Sequence, residues 1–219
     1  MSQYASGSVR GSARMLLLCG AGACAALCLA LYAWLPAKGS ERRYTAFDQL
    51  IADWLKPTVS GMFTAYGKFL TIIGSTGSVI GITVILTLVA IWLVSWKQAV
   101  WLPVSVALAY GVNTWIKNSV VRPRPEKAWG IEAAGYSFPS TNAATAMALY
   151  LLFAFIVWRS ERLKPAVKLF AAVLCGVLII STGWSRLYFS VHYATDVLAG
   201  FAVGGAVVLT IAAFTKART

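Results

Sequence analysis

The sequence is short of the groups from which soluble enzymes are commonly built. Across 219 residues it has a single histidine, seven acidic residues and four cysteines, and only 12% of its residues are charged. One histidine excludes a histidine-rich metal centre, and neither a metal nor an organic cofactor is expected. Cys19, Cys24 and Cys28 fall in the first apolar run and Cys175 in another, so they lack zinc-site spacing and the loop positions of disulfides. They read as small apolar fillers. The scarcity of charge, with 59% hydrophobic residues and a mean hydropathy of +0.72, excludes an ordinary soluble domain of this length. A net charge of +12 would suit nucleic acid. The basic residues, however, are scattered between apolar runs and make no continuous face, so the expected partners are a bilayer and phosphate-bearing lipids, not nucleic acid.

What is present is a series of long apolar runs, over 15–35, 79–96, 99–116, 141–158, 169–182 and 196–214. They predict six spanning helices in one domain, 15–214, between polar tails at 1–14 and 215–219. The first run is longer than the apolar core of a secretory signal, so a retained span is expected. Within 37–60, Phe47, Leu50, Ile51, Trp54 and Leu55 recur at spacings of three and four with Asp48, Gln49 and Asp53 between them. This predicts an amphipathic helix at the membrane interface. Residues 61–76 fit either a surface helix or the entry to the second span. The fold class is therefore all-α, a polytopic membrane protein with six transmembrane helices and an interfacial one. Both termini share a side, and the short turn 159–168, with Arg159, Arg162, Lys164 and Lys168, marks that side as cytoplasmic. The expected location is the plasma membrane, with the polar segments discussed next facing outward.

Charged groups at span ends are costly and invite a functional reading. They fall in three clusters: Lys117 to Arg124, Ser140 to Asn142, and Arg186 to Asp196. Alternation of the spans puts all three on one side, where Lys117, Arg124 and Arg186 can converge. Three cations repel unless an anion joins them, and phosphate matches guanidinium forks. His192 and Asp196 are four residues apart, so the carboxylate can hold one ring nitrogen and leave the other facing the cations. A histidine held this way can act as a nucleophile on phosphorus, with the cations in the place of a metal. Each feature also has an ordinary explanation: snorkelling anchors for Lys117 and Arg186, a structural pair for His192 and Asp196, and a helix cap at Ser140 or Thr141.

Together the residues Lys117-x6-Arg124-Pro125, Pro139-Ser140-Thr141-Asn142 and Ser185-Arg186-x5-His192-x3-Asp196 resemble the three-part signature of the type 2 phosphatidic acid phosphatase family. The resemblance implies a membrane phosphatase working through a phosphohistidine on His192, oriented by Asp196, with Lys117, Arg124, Ser140, Thr141 and Arg186 binding the phosphate. The middle motif departs from the family's Pro-Ser-Gly-His. Asn142 replaces the histidine that protonates the leaving group, and Thr141 replaces glycine. Asparagine delivers no proton, which biases the expectation toward isoprenoid pyrophosphates over phosphatidic acid, with undecaprenyl pyrophosphate or phosphatidylglycerophosphate as the expected substrate. It also leaves open a phosphotransferase, or a relative that binds or moves lipid phosphates without turnover. Glu126, Glu132 and Tyr188 are candidates to replace the missing acid.

Overall fold

The computed structural model describes residues 2–36, 44–56, 59–126 and 128–215. Parts of two expected segments, 37–43 with 57–58 in the interfacial region and 216–219 in the second tail, lie outside the described residues. The regular structure among the described residues is all helical: α1 (Ser2–Ala33), α2 (Ala46–Leu55), α3 (Gly61–Ile73), α4 (Thr76–Leu93), α5 (Trp96–Ala99), α6 (Trp101–Val120), α7 (Thr141–Arg159), α8 (Pro165–Tyr188) and α9 (Ala194–Phe214). Six stretches are long and apolar enough to cross a membrane: Gly11–Ala33, Thr76–Leu93, Trp96–Val120, Thr141–Arg159, Pro165–Tyr188 and Ala194–Phe214. The expected fold class is the observed one.

Several boundaries differ from the sequence reading. The polar stretch before residue 15 continues α1 as helix from Ser2, and α1 stops at Ala33 instead of running to 35. Residues 61–73 form a separate helix, capped by the Ser60 hydroxyl and followed by Gly74. The expected break over 183–195 shrinks to 189–193, because α8 continues to Tyr188. Its last turns look polar in sequence, yet Ser185 and Arg186 are buried against the site and need no water.

Helix α2 exists as predicted, with Leu50 and Trp54 turned outward, but Asp48 is turned inward together with Leu55. Asp48 is 3% exposed, whereas Leu50 and Trp54 are 65% and 68% exposed. In a membrane protein the outward surface can be lipid, so apolar residues point out, and a buried carboxylate is tolerated where a cation meets it. The helix starts on a capping box in which the Thr45 hydroxyl and the Asp48 carboxylate each accept a backbone N–H.

Helices α7 and α9 are the inner pair. More than half of each span is buried (56% and 61%), against 17–28% for the other four. Lipid gives apolar helices no hydrophobic drive to associate, so close packing through small residues must hold them. Ala143, Ala144 and Ala148 on α7 meet Ala199, Gly200 and Gly204 on α9 with no room to spare. A Cβ on Gly200 would fall 2.5 Å from the Ser140 carbonyl oxygen, and one on Gly204 would strike the Ala144 carbonyl. Backbone cannot yield as a flexible side chain can. Gly200→Ala should therefore lower stability in detergent by about 1–3 kcal/mol, read from thermal melts. It should also cost more phosphate release per degree of melting lost than Gly204→Ala, because it displaces Ser140.

Candidate active site

The end of α6, the start of α7, the end of α8 and the start of α9 meet at one end of the bundle. Three contacts fix this arrangement. The Ser140 N–H donates to the Asp196 carbonyl at 2.9 Å, the Val191 N–H donates to the Arg186 carbonyl at 3.1 Å, and the Lys117 ammonium donates to the Tyr136 carbonyl at 2.7 Å. All three clusters singled out in the sequence thus share one end. Leaving α6, the chain turns through Val121 in the left-handed region (φ 57°), and Gly130 and Gly135 take φ of 72° within the loop before α7. The Phe138–Pro139 peptide bond before α7 is cis.

His192 sits in the five-residue turn between α8 and α9, buried to 6% exposure. It precedes the first turn of α9, so the expected helical pairing with Asp196 takes another form. Asp196 is the third residue of α9, and its carboxylate folds back to accept the Tyr193 N–H at 2.8 Å. The gap from His192 Nδ1 to Asp196 Oδ2 is 3.5 Å, longer than a formed hydrogen bond. The Ser137 hydroxyl donates to that same carboxylate oxygen and lies at the same 3.5 Å from Nδ1, so both oxygens face the ring nitrogen.

The other ring nitrogen, Nε2, is 3.1 Å from Arg124 Nη1. A guanidinium can only donate, so this bond requires a lone pair on Nε2 and places the proton of the neutral ring on Nδ1, toward Asp196. Three further Arg124 N–H groups donate to the carbonyls of Val191 (2.7 Å), Ala134 (2.8 Å) and Gly135 (3.0 Å). Burial pushes the His192 pKa down to about 4; Asp196 opposes the shift, and Arg124 and Lys117 add to it. The folded value lies below the ordinary one, so the ring is neutral at pH 7 and gains its proton only as pH falls through about 4. With one histidine in the chain, ¹⁵N NMR of histidine-labelled protein reads this residue alone. A midpoint well below the ordinary value of about 6.5 is expected, and a midpoint at that value would contradict a sealed imidazole.

The other expected site residues are placed as follows. Arg186, in the last turn of α8, donates to the Thr71 hydroxyl of α3 and to Ser185 Oγ at 3.2 Å. Ser140 is the N-cap residue of α7 but does not cap it. Its fully buried hydroxyl oxygen has no hydrogen-bond partner among the described residues. The Thr141 hydroxyl oxygen accepts from Asn113 Nδ2 at 2.9 Å, which leaves its O–H and its backbone N–H as donors for an anion. Asn142 donates from Nδ2 to the Gly74 carbonyl at 3.0 Å. Of the substitute acids, Tyr188 is buried and bonded to Thr64 at 2.9 Å. Glu126 lines a cavity of about 490 Å³, shared with His192, between α2 and the 187–194 segment.

Sequence reasoning missed Ser137, Arg122 and Asp48. Arg122 donates from Nη1 to Asp196 Oδ1 at 2.6 Å and to Thr195 Oγ1 at 2.8 Å, and from Nη2 to Asp48 Oδ2 at 2.9 Å. The repeated Arg-Pro of Arg122-Pro123-Arg124-Pro125 was the available signal. Nothing in the local sequence marks Asp48 or Ser137. The turn itself is pinned by Phe189, whose ring is fully buried where Cβ atoms on Gly67 and Gly130 would fall 2.8 Å and 2.9 Å from it, and whose carbonyl accepts the Trp129 N–H at 3.2 Å.

The chain is similar to known proteins. The family model described as PAP2 superfamily matches residues 98–219, more than half of the chain. Phosphatidylglycerophosphatase B of Bacillus subtilis (strain 168) is 31% identical over 93 residues, which are 42% of this chain and 46% of that one. The chain thus matches about half the length of this curated relative. A crystal structure of a transmembrane PAP2-type phosphatidylglycerolphosphate phosphatase from Bacillus subtilis superposes with a TM-score of 0.76, at 20% identity, over 89% of this chain and 94% of that one. LpxE from Aquifex aeolicus superposes at 0.59, with 16% identity, over 78% and 95%. At these identities the structural likeness concerns the fold.

Proposed function

This chain belongs to the PAP2 superfamily, and from that premise we propose that it hydrolyses a lipid phosphate or pyrophosphate through a phosphohistidine on His192. The observation that carries the reading is the pairing of Nε2 of the sole histidine with the Arg124 guanidinium at 3.1 Å, while Nδ1 faces Asp196. An entering phosphoryl group draws the donors of Arg124 onto its oxygens and frees the Nε2 lone pair. Nε2 forms the bond to phosphorus as the bond to the leaving oxygen breaks, and the Nδ1 proton stays against Asp196 and Ser137. Water then attacks phosphorus, inorganic phosphate leaves, and the imidazole is restored. Lys117, Arg124 and Arg186 offset the charge on the phosphoryl oxygens, a task that needs no metal in this scheme. The uncapped start of α7, with the unpartnered Ser140 hydroxyl, supplies further donors of the kind that bind anions at helix N-termini.

The leaving oxygen has no histidine to protonate it, because Asn142 stands there. A lipid phosphate departing from a pyrophosphate needs that proton less than a lipid alkoxide does. We place isoprenoid pyrophosphates ahead of phosphatidylglycerophosphate and phosphatidic acid as substrates, in the plasma membrane with the site on the extracytoplasmic side. Release of inorganic phosphate by purified protein in detergent with EDTA tests this, comparing undecaprenyl pyrophosphate with the two phospholipids. Equal or faster turnover of phosphatidic acid would reject the order. A second reading, binding or movement of lipid phosphates without hydrolysis, rests on Asn142 alone, and saturable binding with no phosphate release from any of the three would favour it.

A further inference from the structure

Two carboxylates and one guanidinium are sealed together behind His192. Asp48 is 3% exposed, Asp196 0% and Arg122 6%. Arg122 bridges the two, with Nη1 to Asp196 Oδ1 at 2.6 Å and Nη2 to Asp48 Oδ2 at 2.9 Å, and its guanidinium lies 4.0 Å from the Tyr193 ring centroid. Asp48 also accepts the Thr195 N–H and hydroxyl, both at 2.9 Å, and the Thr45 N–H at 3.0 Å. A buried ion pair is a poor way to anchor a helix, because desolvation cancels much of the attraction and an apolar contact would serve as well. Its charge must be explained in another way.

With all three groups ionised, the cluster carries one net negative charge beside a neutral imidazole. It is balanced when the ring becomes cationic, as it does once Nε2 is phosphorylated and Nδ1 keeps its proton. Without Asp48, the charge of Arg122 would cancel that of Asp196, and the ring would develop its positive charge against a neutral cluster. We propose that Asp48, on the interfacial helix α2, is a positioning residue for phosphoryl transfer: through Arg122 it holds Asp196 in place and preserves that carboxylate's charge for His192. The inference rests on the reading of His192 as the nucleophile.

The charged groups around His192 come from every element packed on it: Lys117 from α6, Arg122, Arg124 and Glu126 from the following loop, Asp196 from α9, Asp48 and Lys56 from α2 and its end, and Arg186 from α8, whose carbonyl is 3.4 Å from the His192 backbone nitrogen. Opposite charge changes at Asp48 and Arg122 must therefore act on the ring with opposite sign if the coupling is electrostatic. The protonation midpoint of the single histidine is measured by ¹⁵N NMR in wild type, Asp48→Asn, Arg122→Gln and the double variant, all on a histidine-free affinity tag. Asp48→Asn is expected to lower the midpoint by about half a unit, Arg122→Gln to raise it by a similar amount, and the double variant to return close to wild type. In parallel, Asp48→Asn should reduce kcat by about tenfold with KM within about twofold, the pattern of an interaction that strengthens in the transition state.

An unmoved midpoint in Asp48→Asn, or lower thermal stability as its only effect, would overturn the proposal in favour of a purely structural tether. If Asp48→Asn does not fold, the remaining pair decides: a midpoint in the double variant below that of Arg122→Gln sustains the coupling, and equal midpoints reject it. The NMR readout needs no turnover, so a protein that releases no phosphate would refute the hydrolase reading while the titration still reports on Asp48.

Discussion

Replacing His192 with alanine is expected to reduce phosphate release by roughly 10⁴-fold or more, the scale at which loss of a nucleophile outweighs every other single change in an active site. The prediction is this large because the chain holds no second histidine to take over. The neighbouring hydroxyls are also poorly placed to substitute: Ser137 is committed to Asp196, and Thr195 to Asp48 and Arg122. Rapid quench of wild type with ³²P-labelled lipid should trap an acid-labile, alkali-stable phosphoprotein that His192→Ala lacks. Activity in His192→Ala within tenfold of wild type would rule out a covalent intermediate on this ring. Lys117→Ala or Arg124→Ala is expected to cost less, since each removes only one of three cations around the phosphate.

The second large effect is a gain. Asn142→His restores the proton donor that the family places at this position, and general acid catalysis contributes about 10²–10⁴ in rate. In wild type the Asn142 amide donates to the Gly74 carbonyl at 3.0 Å. A histidine can keep that bond from one ring nitrogen and present the other to the leaving oxygen. The added bulk must fit beside Gly74, where a Cβ would already lie 2.8 Å from the Asn142 amide, so part of the gain will be lost to repacking. A tenfold or larger increase is expected for phosphatidic acid and phosphatidylglycerophosphate, and a smaller one for undecaprenyl pyrophosphate, whose leaving group is already a weak base. Paired kcat/KM measurements on each lipid check this. An equal increase on all three would show that Asn142 does not select by leaving group.

The six spans were legible because hydropathy alone decides which runs can cross a bilayer, and the three motif clusters could be placed together because alternating spans leave few choices of side. Helix ends were less legible. Polar residues in the last turns of α8 look like a loop until the bundle is seen to bury them against the site. The inward turn of Asp48 on α2 has the same origin, since its burial depends on Arg122, 74 positions away. Ser137 was invisible for a related reason, since its role comes from a bond to Asp196 that no local pattern encodes. Conversely, of the two expected caps, Ser140 or Thr141, neither hydroxyl closes the start of α7: that of Ser140 is left inside the site and that of Thr141 accepts from Asn113.

Phe189 carries a consequence for how the site keeps its shape. One aromatic ring, seated where α3 and the 128–131 loop both approach the end of α8, works as a bolt through three separate stretches of chain. The turn bearing the nucleophile inherits its steadiness from that bolt and not from its own backbone, which has Ser190 in the left-handed region at φ 51°. Variation at Gly67, Gly130 and Phe189 is therefore bound together: a larger residue at either glycine demands a smaller one in the socket, and a loosened socket would let the reactive ring wander without any change in the groups that touch it.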